Sequence, residues 1–313
     1  DLHLHDLGRR FRIRGPEPPV TMTFRADLDR LLTEAATAAG ASLLAPCRVL
    51  GVEAGSDRAR LATTAGPLTA SYLVAADGAA GQVARWAGLP DGRLLVPALE
   101  SEIAVAPELH ERYADSARFD FGPVPAGYAW VFPKRCGLSV GCLTTRPGRR
   151  SLRRGLDLYL GLLGLDRPRG RDDHGFVIPV RPRREVARGR VLAVGDAAGL
   201  ADPVTCEGIS AAIESGRLAA RAILAHAGPA AVRARYRCEL SAGLLPELAR
   251  ARLLARALYG APPLRRLAFR RLGQPLAEAV GRVMAGETTY RRLGASPAGL
   301  LRLAARLAGV AGG

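Results

Sequence analysis

Residues 191–217 read VLAVGDAAGLADPVTCEGISAAIESGR, and this stretch admits few architectures. The apolar run Val191 to Val194 has the character of a strand buried on both faces, as in parallel sheets covered by helices. Gly195 lets the backbone turn and places Asp196 at the carboxyl end of that strand, where open α/β sheets gather their ligands. AAGLADP keeps side chains small around Gly199, so that backbone can approach a ligand, and Pro203 stiffens the turn. A helix opening near Gly208 and Ile209 aims its free N–H groups and positive dipole end at the same point.

An acid at such a strand end accepts hydrogen bonds from hydroxyls, and a helix start stabilises developing negative charge. Two readings are open: a site for the ribityl chain and pyrimidine edge of a reduced flavin, or an ordinary strand-to-helix turn capped by an acid.

The rest of the chain supports an α/β class. With 313 residues, 48% of them apolar, there is enough for one large or two joined domains. TMTFRADLDRLLTEAATAAG predicts a short strand and then a helix with Leu28, Leu31, Leu32 and Ala35 on one face. Further strands come next, the last of them YLVAA ending at Asp77-Gly78, and then a short helix in AGQVARWAGL. Residues 95–185 gather aromatics and strand-like alternation, which predicts an inserted sheet, with one helix starting at a Ser151 cap. From Pro229 to Gly313 there are fifteen arginines against four glutamates, in a helical pattern. The predicted division is 1–95 with 186–228 as one domain, 96–185 as a sheet domain and 229–313 as a basic helical region.

Several classes have no support. The five cysteines, Cys47, Cys136, Cys142, Cys206 and Cys238, form no CxxC pair and are odd in number, which argues against a disulfide framework or zinc knuckle and for a reducing, cytoplasmic setting. There is no GxSxG, HExxH or P-loop, no nucleic-acid recognition motif, no signal peptide and no bilayer-length apolar run. His3, His5 and Asp6 could touch a metal, but two histidines near a chain end are expected to be incidental. His110, His174 and His226 are isolated. In LARARLLARALY and LLRLAARLAG, leucines and arginines alternate at helical spacing; such helices either pack leucines inward or lie on an anionic membrane surface.

The motifs taken together carry a resemblance. GDAAGLADPVTCEGISAAIESGRLAA resembles the second flavin-binding motif of the para-hydroxybenzoate-hydroxylase-like FAD oxidoreductases, and within them the geranylgeranyl reductase branch. The resemblance implies that Asp196 binds the ribityl chain and that backbone around Gly208 and Ile209 faces the flavin pyrimidine. Cys206 departs from the branch, which commonly has glycine there. FRADLDRLL resembles the segment whose arginine, here Arg25, contacts the FAD phosphates, and LVAADGAAGQVAR resembles the DG fingerprint, placing Asp77 and Gly78 near the cofactor. YAWVFPKRCGLSVGCL resembles the branch's substrate-side run; Tyr128, Trp130, Phe132, Pro133 and Gly141 match, while Leu143 replaces the second glycine. Alternation puts the three aromatics on one strand face, as the wall of a prenyl tunnel or as packed core.

The implied fold is an FAD-binding, Rossmann-like, three-layer domain lacking its first βαβ unit, with an inserted antiparallel sheet and a helical C-terminal region. No GxGxxG precedes the matched motifs, so this chain alone is expected to bind FAD weakly or not at all. The implied activity is saturation of prenyl carbon–carbon double bonds by hydride from reduced FAD, with NAD(P)H as donor, a prenyl lipid as substrate, and peripheral membrane contact. The alternatives are an aromatic or polyketide monooxygenase and a non-catalytic remnant without cofactor.

Overall fold

A computed structural model describes residues 2–294 apart from 7, 15–17, 19, 136, 147, 148, 166–168, 226 and 227. Cys136, His226 and the LLRLAARLAG segment therefore lie outside the described residues, as does the side chain of Asp6. The chain forms two compact units, one of residues 1–28, 96–176 and 253–313, the other of residues 29–95 and 177–252.

The first unit is built on a seven-stranded sheet. Its order is Arg169–Pro179, Leu95–Ala104, Gly137–Thr144, Gly127–Lys134, Ala117–Phe121, Leu2–Asp6 and Arg9–Ile13. The strand Leu2–Asp6 pairs in parallel with Ala117–Phe121 and antiparallel with Arg9–Ile13, so the first residues of the chain belong to this sheet. Period-two alternation separates its faces. Ala129, Val131, Val140 and Cys142 meet the helix Arg149–Leu162 through Leu152, Leu156, Tyr159 and Leu160. Those four share one helix face, and each fully buried leucine contributes about 1.5–3 kcal/mol. The helix begins at Arg149, so Ser151 lies in its first turn and is not its cap.

Under the same sheet, buried Asp120 holds His5 Nδ1 at 2.9 Å and Arg118 Nε at 2.7 Å, and it accepts the Tyr159 hydroxyl. Three donors keep this carboxylate charged against the cost of burial. His3 stacks on His5, and burial first, then Arg12 and His5, push its pKa down to about 4.

The expected strand at TMTF does not form. The Lys134 ammonium donates to the Thr23 carbonyl at 2.5 Å and lies 5.5 Å from the Phe24 ring centroid, so these residues are held by a side chain and not by a ladder. The helix Pro262–Met284 packs on Arg9–Ile13, with Gly273 against the Phe11 ring and Gln274 Nε2 donating to the Arg12 carbonyl at 2.9 Å.

In the second unit, Val191–Ala193 pairs in parallel with Leu73–Ala75, register Ala193 to Ala75, and antiparallel with Ala187–Arg188. A separate antiparallel sheet joins Val49–Ala54, Ala59–Thr63 and Leu68–Ala70. The helices Ile209–Ala225 and Pro229–Ala242 cover the parallel pair with Leu218, Ala219, Ala222, Val232, Tyr236 and Leu240, and Tyr236 donates its hydroxyl to the Ala193 carbonyl at 2.7 Å. The predicted helix at residues 25–38 forms as Arg25–Ala38, but its leucine face is open: none of its residues is buried, and Leu31 is 60% exposed.

The next helix, Leu244–Gly260, continues the arginine-rich pattern; Leu248, Ala251, Ala255 and Leu258 are buried, so LARARLLARALY turns an apolar face inward. Among the described residues, no helix is long and apolar enough to cross a membrane.

Candidate functional site

The strand Val191–Ala193 ends as expected, but the chain then makes a short helical turn, Gly195–Ala198, and not a simple bend. Gly195 has φ +50°, and its N–H donates to Ser215 Oγ at 2.9 Å. Gly199 has φ +80°, and a Cβ on it would lie 2.4 Å from the Arg181 carbonyl oxygen, so only glycine fits.

Two arginines clamp the carbonyls of this turn. Arg183, 4% exposed, donates from Nε to the Ala197 carbonyl at 2.6 Å, and its backbone N–H donates to the Ala198 carbonyl at 2.9 Å. Arg93 donates from Nη1 to the carbonyls of Ala79 at 2.9 Å and Asp196 at 3.1 Å, and it pairs with Asp91 at 2.9 Å. The Arg93 hydrogen bond holds the Asp91 carboxyl well below the usual carboxylate range.

Beyond Gly199 the loop is equally determined. Asp202 Oδ1 accepts the N–H groups of Val204 at 2.7 Å and Thr205 at 3.0 Å, an Asx turn that buries Pro203. Cys206 comes next in the turn with φ +58°, a left-handed conformation that L side chains resist. Desolvation and then Asp202 push the thiol well above its ordinary range, so Cys206 carries no thiolate. At Gly208 a Cβ would lie 2.8 Å from Asp196 Oδ1; its absence leaves room beside that carboxylate. Glu207 Oε1 accepts the Ser210 N–H at 2.9 Å and caps the helix, leaving Ile209 39% exposed.

Gly195, Asp196, Gly199, Pro203, Gly208 and Ile209 thus stand on one continuous loop. Asp77 and Gly78 leave the neighbouring parallel strand at the same sheet edge, and Arg93 ties the two loops together. The Asp77 carboxylate is already engaged: Oδ2 accepts the Val83 N–H at 2.9 Å, across the space left by Gly81. Arg25 opens its helix as an exposed residue of the other unit.

In the first unit, Tyr128, Trp130 and Phe132 share a face opposite Leu143, Gly141 and Ser139. Their ring centroids are 5.9 and 6.0 Å apart along the strand, and Phe119 lies 5.5 Å from Tyr128 and 5.2 Å from Phe132. A Cβ on Gly141 would lie 2.1 Å from the Trp130 ring; the indole therefore rests flat across the glycine. Its Nε1 reaches Ser139 Oγ at 3.4 Å, and Ser139 donates to Glu100 at 2.5 Å.

The two ends of the ladder differ. Tyr128, 5% exposed, stacks on Tyr259 and is core, whereas Phe132 and Pro133 are half-buried and reachable. Leu143, the cross-strand partner of Tyr128, is itself buried.

Sequence reasoning missed Arg93, Arg183, Ser215 and the Ser139–Glu100 pair. Asp202-Pro203, a turn dipeptide, is the readable signal in the loop. Among the described residues no cluster of histidine, cysteine or acid could hold a metal ion.

No family model matches the chain. It is 32% identical over 215 residues to the digeranylgeranylglycerophospholipid reductase of Methanosphaerula palustris, covering 63% of this chain and 52% of that one. The chain is thus similar in sequence to digeranylgeranylglycerophospholipid reductases over about two thirds of its length. It spans about half the length of the curated relatives it matches. The likeness extends to solved structures. A geranylgeranyl bacteriochlorophyll reductase-like protein from Thermoplasma acidophilum superposes with TM-score 0.70 at 23% identity, over 97% of this chain and 78% of that one. The anhydrotetracycline hydroxylase of Streptomyces rimosus gives TM-score 0.58 at 18% identity, over 85% and 57%. The reductase-like protein and the hydroxylase thus share the fold of this chain.

Proposed function

We propose that the protein takes part in saturating carbon–carbon double bonds of a geranylgeranyl-type prenyl chain. The observation that carries the reading is the aromatic ladder laid over Gly141, in a chain whose relatives include digeranylgeranylglycerophospholipid reductases.

The loop residues fit a flavin: Gly208 brings its backbone close to the Asp196 carboxylate, where a Cβ would collide, and the clamped Gly195–Ala198 turn presents fixed backbone. Asp196 would accept hydrogen bonds from ribityl hydroxyls, backbone at Gly208 and Ile209 would face the pyrimidine edge, and Arg25 would pair with the FAD phosphates. FAD, once reduced, supplies the hydride. Trp130, Phe132 and Pro133 would line the prenyl chain and exclude water, with Tyr128 and Leu143 fixing the inner end. NAD(P)H as electron donor, a cytoplasmic setting and peripheral contact of the basic helices with lipid complete the reading.

The protein, supplied anaerobically with dithionite, a geranylgeranyl lipid and FAD in large excess to offset weak binding, is expected to add the mass of two hydrogens to the lipid per double bond. Oxygen-dependent NADPH consumption with a phenolic substrate, and no gain in lipid mass, would overturn it in favour of a monooxygenase.

A further inference from the structure

The segment Arg181-Pro182-Arg183-Arg184 puts its middle arginine to structural use and its outer two at the surface. Arg183 is buried and bonded to the Gly195–Ala198 turn, whereas Arg181 and Arg184 are exposed. They line an open cavity of about 400 Å³ together with Gly92, Pro182, Leu245 and Arg252.

Three of the six lining residues are arginines and none is acidic; the two whose heads matter for binding are Arg181 and Arg184. Arg181 gives its Nε to the Gly92 carbonyl at 2.6 Å, and its Nη atoms have no partner among the described residues. Arg184 makes no hydrogen bond or ion pair among them, and the missing side chain of Gly92 gives it room, a Cβ there falling 3.3 Å from Arg184 Cγ. Asp91, next to Gly92 in the chain, is taken by Arg93 at 2.9 Å and Arg183 at 3.7 Å. Like charges held together repel unless an anion neutralises them, and guanidinium forks match phosphate oxygens.

We infer that this cavity is a binding site for a phosphate or diphosphate group. The site stands whether or not the protein reduces a prenyl chain. It is also joined to the flavin-type loop: the Arg181 carbonyl abuts Gly199, and Arg183 bonds Ala197 and Ala198, so an anion drawn to the flanking arginines bears on the segment that supports that loop. Two ligands carry the required group, a nicotinamide dinucleotide and a prenyl phosphate.

Calorimetric titration of the full chain with inorganic pyrophosphate tests this. Saturable binding is expected, weakening as salt rises. Replacing both residues, Arg181→Gln with Arg184→Gln, should weaken it by about tenfold or more, and Arg184→Gln alone by less, with Arg184→Lys recovering part. Arg184→Gln removes no hydrogen bond and keeps the fold, so its result stands even where the double variant unfolds. Arg217→Gln, on a surface pair with Glu214, should leave binding unchanged. Displacement of pyrophosphate by NADPH supports a dinucleotide site, and displacement by geranylgeranyl diphosphate supports a lipid-phosphate site. Absence of saturable binding at low ionic strength, or equal affinity in wild type and folded Arg184→Gln, would overturn the inference.

Discussion

The loop after Val191–Ala193 and the sheet face around Trp130 both depend on glycines whose Cβ would collide, yet the atoms they would meet differ. Gly199 faces a backbone carbonyl oxygen, whereas Gly141 faces an indole ring. Backbone in a clamped turn has nowhere to go; a ring at the end of two rotatable bonds does. The loop is therefore rigid by construction, with its carbonyls held by buried arginines, and the ladder is adjustable. That contrast separates a region fixed by backbone from one fixed by side-chain packing.

The hardest test of the contrast is Gly199→Ala. It places a methyl 2.4 Å from the Arg181 oxygen at φ +80°, combining a left-handed penalty of about 1–2 kcal/mol with overpacking of about 1–3 kcal/mol. A loss of roughly 2–5 kcal/mol is expected from the two together, confined to the second unit. The two tryptophans make this measurable, since Trp86 lies in that unit and Trp130 in the other. In denaturant, Trp86 fluorescence in a Trp130→Phe background should change early, while Trp130 in a Trp86→Phe background should keep its midpoint. A shared shift would mean that the units unfold as one.

Gly141→Ala should cost less, about 1–3 kcal/mol, because the indole can rotate off the new methyl. The Trp130 emission should move to longer wavelength as the ring leaves its place over the sheet and its Nε1 loses Ser139. An unchanged spectrum with a loss as large as that at Gly199 would mean the ladder is as rigid as the loop.

How far each region can be read in advance is set by the same physics. The loop is legible because its constraints are local: the apolar run, the small residues, Asp202-Pro203 and the start of Ile209–Ala225 all speak through sequence neighbours. The aromatic face is legible through alternation, which fixes side but not depth, so Tyr128 as core and Phe132 as accessible cannot be told apart. The hidden features are tertiary. In RPRRE nothing distinguishes buried Arg183 from exposed Arg184, because the carbonyls that select Arg183 come from residues 89 and 197. Local pattern likewise groups the first residues with their sequence neighbours, whereas Leu2–Asp6 pairs with Ala117–Phe121, more than a hundred residues away. The openness of Leu31 and Leu32 has no local signature either, since the periodicity of Arg25–Ala38 shows an apolar face without showing its cover.

Cys206 provides the finest test, because there the loop carries strain that its rigidity must absorb. At φ +58° any Cβ is disfavoured by about 1–2 kcal/mol, while glycine adds about 0.5–1 kcal/mol of backbone entropy to the unfolded chain. Cys206→Gly should therefore melt slightly above wild type, and Cys206→Ala, which keeps the Cβ and loses the sulfur's packing, below it. The order matters more than the size: glycine above alanine by about 1 kcal/mol is expected if the left-handed turn is imposed by the Asp202 and Glu207 hydrogen bonds on either side. Alanine above glycine would mean that the turn relaxes when the thiol is removed, and the loop would then be less fixed than the carbonyl clamps imply. Slow reaction with iodoacetamide at neutral pH is expected alongside, since the desolvated thiol holds its proton.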